Sequence, residues 1–202
     1  MAGPAAGDRE TARTGSYVVD MFDPARAALL VIDFQEKLFA AMPPGDDDGG
    51  RDRALRSVGN LLFAAGELAI PVLLTEQYPR GIGPTLPAIT AALPRSVFRF
   101  EKLAFSALRE PGFPDLHRPE VIIVGMEAHI CVALTAIDLL ARGTVVYIVA
   151  DGCVSRTLPD RARGLALAEA AGAKIVSSET VLFGLIGRAG TPLFKEISRR
   201  IR

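Results

Sequence analysis

The sequence has no tryptophan, only two cysteines and two histidines, and no excess of either charge. Two cysteines without a Cys-x-x-Cys spacing make neither a disulfide framework nor a thiol–disulfide oxidoreductase. The histidines, His117 and His129, lie too far apart in sequence to suggest a metal-ligand pair. Lys plus Arg (23) equals Asp plus Glu (23), so the basic bias of a nucleic-acid binder is missing. No apolar run approaches the ~18 residues needed to cross a bilayer, and the N-terminus lacks the apolar core of a signal peptide. These shortages lead to the expectation of a cytoplasmic, soluble protein with no membrane or nucleic-acid partner. Nucleotide cradles are missing too. Asp33-Phe34-Gln35-Glu36-Lys37 follows the first apolar run where a dinucleotide-binding fold would place Gly-x-Gly-x-x-Gly. Gly81-Ile82-Gly83 is not followed by Gly-Lys-Ser/Thr. The run Asp46-Asp47-Asp48 lacks the alternating spacing of a calcium loop and reads as a solvated turn.

What remains is 202 residues, half of them hydrophobic, enough for one well-buried core. Residues 1–19 mix Gly, Ala, Arg, Asp, Glu and Thr without periodicity and are expected to form a disordered tail; residues 20–202 are expected to form a single domain. Short apolar runs at 27–32, 71–75, 95–100, 121–124, 145–150 and 174–177 read as strands. Helical periodicity fills 52–69, about 130–143, 157–171, 179–187 and 192–201. Thr157-Leu158-Pro159-Asp160 opens one of these helices with a capping pattern and a proline in its first turn. Strands that alternate with helices imply an α/β fold, a three-layer α/β/α sandwich around a doubly wound, mostly parallel sheet.

The most informative stretch is 120–143. The β-branched run Val121–Val124 ends at Gly125, and a mostly apolar helix follows, with Cys131 in its first turn. There the helix N-terminus favours the thiolate. Cys131 shares a polar helical stripe with Thr135, Asp138 and Arg142. Either a small core cysteine or a reactive thiol fits this position. Asp33 ends the first strand, as a helix cap or as a site carboxylate. Lys102 follows the third strand, as a surface cation or as part of a site. In a doubly wound sheet the C-terminal strand ends gather along one edge, so these three residues can meet.

On these residues the sequence resembles the isochorismatase-like cysteine hydrolases, a superfamily that includes nicotinamidases and N-carbamoylsarcosine amidohydrolase. The matching motifs are Leu29-Leu-Val-Ile-Asp33-Phe-Gln35, Lys102-Leu-Ala-Phe-Ser106-Ala and Gly125-Met-Glu-Ala-His-Ile-Cys131-Val132, in the family's order over residues 24–185. Thr75–Pro84 and Glu127-Ala-His129 look most like the isochorismatase domain-containing branch. The resemblance implies Cys131 as nucleophile, Asp33 as general base and Lys102 as the cation that holds the thiolate and orients Asp33. It implies a cis peptide between Met126 and Glu127, with the backbone N–H groups of Glu127 and Cys131 forming an oxyanion hole. One such donor is worth about 3–4 kcal/mol of barrier. It also implies a small-molecule substrate and a homodimer or larger homo-oligomer.

Nicotinamidases carry an Asp-x-His…His metal site after the second strand, where this chain reads Thr75-Glu-Gln-Tyr-Pro-Arg80. No metal and no other cofactor is therefore expected. The expected reaction is hydrolysis of a small amide-like substrate through a thioester. Hydrolysis of a vinyl ether, as in isochorismatases proper, and simple binding of a metabolite or protein partner are the alternatives. Phe39, Gln77, Tyr78 and Phe105, on segments flanking the three key positions, are the expected pocket walls. His129 sits two residues before Cys131, a spacing at which side chains point apart. Cys153, Ser155 and Arg156 read as loop residues.

Overall fold

Ala27–Ile32 is six apolar residues in a row, and the computed structural model buries all of them as β1. The structure describes residues 21–202, so the expected tail at 1–19 lies outside the described residues. Five more strands complete one sheet: β2 (Val72–Gln77), β3 (Val97–Lys102), β4 (Glu120–Met126), β5 (Val145–Val154) and β6 (Lys174–Val176). Their order is β3-β2-β1-β4-β5-β6, and every neighbouring pair is parallel. The chain leaves β1 towards β2 and β3, then crosses back to β4 on β1's other side. The strand order thus reverses between β1 and β4, the place where open α/β sheets present a crevice.

Alternation along β1 sends side chains to both faces. Leu29 and Val31 join an apolar core with Val58 and Leu62 of α2 (Arg51–Glu67) and Val181 and Leu182 of α7 (Ser178–Ile186). Leu30 and Ile32 join a second core with Ala136 and Leu139 of α5 (Ala133–Ala141) and Ala168 of α6 (Leu158–Ala170). Helix, sheet and helix make the three-layer sandwich. α8 (Pro192–Arg200) closes the chain. Thr157 caps α6, its hydroxyl accepting from the Asp160 N–H at 3.2 Å, which satisfies one orphan donor of the first turn.

Several boundaries differ from the sequence expectation. Short helices α1 (Glu36–Ala40), α3 (Pro79–Ile82) and α4 (Pro87–Ala92) add to the helices expected from periodicity, and the cap residue of α1 is Gln35 rather than Asp33. The fifth strand runs on to Val154, because a register shift opposite Ile123–Gly125 restores pairing as Gly125↔Cys153 and Met126↔Val154. Gln77 and Lys102 are the last residues of β2 and β3, paired side by side, and neither lies in a loop.

Candidate active site

Asp33 follows β1 directly, at φ 55° and fully buried. Its N–H still bonds to the Thr75 carbonyl of β2 at 3.2 Å, so the sheet fixes its backbone. The carboxylate accepts from the Thr75 hydroxyl at 2.6 Å and from the Lys102 ammonium at 2.7 Å. Lys102 in turn donates to Gln77 Oε1 at 2.6 Å and to the Phe105 carbonyl at 3.4 Å. All three protons of that ammonium have acceptors, as a buried cation requires. Gln35 clasps the β2 end from the other side. Its Oε1 accepts from the Gln77 N–H at 2.7 Å, and its Nε2 donates to the Gln77 and Gly83 carbonyls at 3.0 and 2.7 Å.

Cys131 enters from β4. Ala128–Val132 forms a single π-helical turn that leads into α5, and the Met126–Glu127 peptide before it is cis. The Glu127 carbonyl accepts from the N–H groups of Ile130 (3.1 Å) and Val132 (3.3 Å) rather than from that of Cys131 between them. Two glycines let this turn sit where it does. A Cβ on Gly125 would meet Ile32 at 2.5 Å, so only glycine lets β4 press on β1 just ahead of Asp33. A Cβ on Gly164 of α6 would lie 2.3 Å from the His129 Cα. The Glu127 carboxylate accepts from the N–H of Arg156 at 2.9 Å and from its Nε at 3.1 Å, tying the turn to the chain after β5. His129 shares a 3.0 Å hydrogen bond with Ser155 through Nδ1.

The Cys131 thiol is 5% exposed and lies 3.9 Å from Gln77 Oε1. Burial first, then the Asp33 carboxylate, push it up to about 12 against the opposing pull of Lys102. The expectation of a thiolate favoured by the helix N-terminus is therefore corrected. At neutral pH the resting group is a neutral thiol, because desolvation and Asp33 outweigh the cation. A cleft of about 470 Å³ opens onto it, lined by Asp33, Gln77, Phe105, Glu127, Cys131 and Arg156 together with Lys37, Leu38 and Ile130. That volume suits a small molecule.

The isochorismatase domain matches residues 27–180, which contain every group just described. The chain belongs to the isochorismatase family. Isochorismatase domain-containing protein 2 of Xenopus laevis is 38% identical over 147 residues, 70% of this chain and 69% of that one. A solved structure described as the MAR1 ribonuclease of Caenorhabditis elegans superposes with a TM-score of 0.81 at 36% identity, over 89% of this chain and 91% of the other. YcaC of Escherichia coli, described as an octameric hydrolase of unknown specificity, shares the fold with a TM-score of 0.79 at 22% identity, over 88% and 89% of the two chains.

This isochorismatase-family cleft gathers Asp33, Cys131, Glu127, Gln77 and Phe105; Lys102 stands behind it, fully buried and in contact with Asp33 and Gln77. Phe39 and Tyr78 are not part of it. Phe39 packs on the core with its ring centroid 5.2 Å from the Arg51 guanidinium, and its neighbours Lys37 and Leu38 face the cleft instead. Tyr78 borders an adjacent cleft of about 350 Å³ with Arg80, Glu101 and Glu110. Gln35, Thr75 and Arg156 have no site role on sequence grounds; Gln35 and Thr75 stand there only as parts of matched motifs. In the segment where nicotinamidases bind a metal, Glu76 is engaged by the N–H and hydroxyl of Thr85 at 2.8 and 2.5 Å. Among the described residues no three His, Cys, Asp or Glu are grouped so that they could hold a metal ion.

Proposed function

We propose that this chain is a cysteine hydrolase that cleaves a small amide-like C–N bond through a thioester on Cys131. One observation carries the reading: the Asp33 carboxylate and Lys102 ammonium form a fully buried pair 2.7 Å apart beside a thiol that opens on a cleft. A buried ion pair is a poor stabiliser, since desolvation of two charges offsets their attraction. Its presence at the strand reversal is better accounted for by chemistry.

Substrate enters with its carbonyl carbon over Cys131. As the C–S bond forms, the thiol proton passes to Asp33, which replaces a high-pKa thiol by a thiolate only while it is being consumed. The carbonyl electrons move onto oxygen, where the N–H groups of Glu127 and Cys131 receive the charge. The C–N bond then breaks, and ammonia or an amine leaves with the proton held by Asp33. Water, deprotonated by Asp33, attacks the thioester; the C–S bond breaks and the proton returns to sulfur. Lys102 keeps its three acceptors throughout and acts as a fixed cation. No cofactor enters these steps.

Ammonia release from a panel of amides, ureas and carbamoyl compounds, paired with intact-mass detection of an acylated chain, tests the proposal. Cys131→Ala and Cys131→Ser should each lose at least about a thousandfold in turnover, with no adduct at residue 131. Retained turnover would sink the nucleophile assignment. A second reading has one observation behind it: the C. elegans relative is described as a ribonuclease, and Lys37 and Arg156 at the cleft are cations of the kind that attract phosphate. Cleavage of labelled RNA, or of a vinyl ether, that survives Cys131→Ala would favour a reaction other than acyl transfer.

A further inference from the structure

We propose that two copies of this chain join along the open edge of β3, antiparallel, with a twofold axis at Phe100. The inference stands apart from the hydrolase reading. β3 is the outer strand of the sheet and pairs with β2 alone. Its six residues, Val-Phe-Arg-Phe-Glu-Lys, contain no proline, and their pairing with β2 has no irregularity. Such a straight, partly apolar edge is what single-chain proteins avoid leaving open. It is also poorly covered: Phe98 is 54% exposed, Leu103 just beyond it is 67% exposed, and Arg99 and Glu101 are exposed.

Backbone direction limits how a second copy could pair. The Lys102 carbonyl accepts from the Tyr78 N–H at 2.9 Å, so the peptide groups of Lys102 point towards β2. By strand alternation those of Phe98 and Phe100 do the same, and those of Val97, Arg99 and Glu101 face the open edge. An antiparallel partner must therefore place outward residues opposite outward residues. An axis at Arg99 would set two guanidiniums against each other, and an axis at Glu101 two carboxylates. With the axis at Phe100, Arg99 lies opposite Glu101 of the second copy, and the symmetry repeats that pair on the other side. Opposite charges directly across a strand pair are favourable and like charges unfavourable. Neither Arg99 nor Glu101 has a side-chain hydrogen bond or ion pair within its own chain, among the described residues. Among the residues of β3 itself, the charge pattern of the edge is thus complementary to itself in one register only. This pairing would brace the strand whose last residue is Lys102.

Light scattering after size exclusion tests the interface through charge reversal. Wild type should be a dimer or a multiple of one. R99E and E101R should each lose that dimer contact, because each makes both cross-strand pairs like-charged. The double variant R99E/E101R should regain it, and mixing the two single variants should give a heterodimer. Circular dichroism on each variant separates lost association from lost fold. Phe100→Cys provides a test that needs no charge change. Residues on the axis form a non-hydrogen-bonded pair with Cα atoms ~4.5 Å apart, within disulfide range, so mild oxidation should link two chains covalently. A monomeric wild type, single reversals that keep wild-type mass, or no crosslink through residue 100 would each overturn the proposal.

Discussion

Asp33 acts on Cys131 in two opposing ways. As a negative charge beside the thiol it raises the thiol's pKa; as the proposed base it is where the proton must go. Asp33→Asn separates the two. Without the carboxylate, the opposing pull of Lys102 on the thiol remains, so alkylation by iodoacetamide near pH 9 should be faster than in wild type while turnover is lost. Slower alkylation in the variant would contradict the electrostatics. Lys102→Met should act on stability as well, since it strands a buried carboxylate; urea unfolding should show a loss of about 3–5 kcal/mol. At this scale the sequence located Asp33, Lys102 and Cys131 because each stands where an apolar strand run ends or a new element begins. It could not place Thr75 or Gln35, whose roles are hydrogen bonds to partners that only the sheet brings near. Phe39 failed for a simpler reason. Successive residues of a helical turn point about 100° apart, and in α1 the cleft is faced by Lys37 and Leu38.

The polar stripe of Thr135 and Asp138 on α5, with Arg142 at its C-terminal cap, is a docking strip for the segment after Lys102. Thr135 accepts from the Ala107 N–H at 3.0 Å, and Asp138 accepts from the Ser106 hydroxyl at 2.6 Å and from Arg109 at 2.7 and 3.0 Å. The Arg109 guanidinium, with help from Ser106, holds the Asp138 carboxyl below its usual range. The π-turn that carries Cys131 thus runs straight into the helix that anchors the segment of the Phe105 carbonyl to which Lys102 donates. Thr135→Val leaves the buried Ala107 N–H without its acceptor and should cost about 1–3 kcal/mol in urea unfolding. It should also lower kcat by roughly tenfold, since about 1.4 kcal/mol of misplacement suffices for that. On α6, Gly164→Ala sets a methyl against the His129 backbone, which cannot swing aside as a side chain would. The expected loss is about 1–3 kcal/mol, read as a fall in the urea midpoint. Long periodic elements were legible in the sequence; α1, α3 and α4 were not, because helices of four to six residues are held by their surroundings and carry little intrinsic signal.

Across the whole molecule, both cysteines are held as neutral thiols. Burial pushes Cys131 and Cys153 each up to about 12, against 9.0 for an ordinary thiol. The unfolded chain gives up these protons above pH 9, while the folded chain keeps them. Stability that is intact below pH 9 should therefore drain away between pH 9 and 12, by an amount on the order of a few kcal/mol per group. Urea midpoints across that window should fall steeply for wild type and less steeply for Cys153→Ala. The layer architecture was legible from the alternation of strand and helix patterns; the exposed β3 edge was not, because its composition is that of any strand and only the sheet order makes it outermost.

That same sheet order also dates the site within the life of the chain. β1, β2 and β3 leave the ribosome before β4, so Asp33 and Lys102 are made before Cys131. The flank of β1 towards β4 stays bare until β4 has been made and laid in place, and only then does the turn bearing Cys131 arrive. A nascent chain halted before residue 126 would carry Asp33 and Lys102 but not yet Cys131. Burial of the thiol, followed as protection from alkylation during refolding, would therefore mark the moment at which the two halves of the sheet become one.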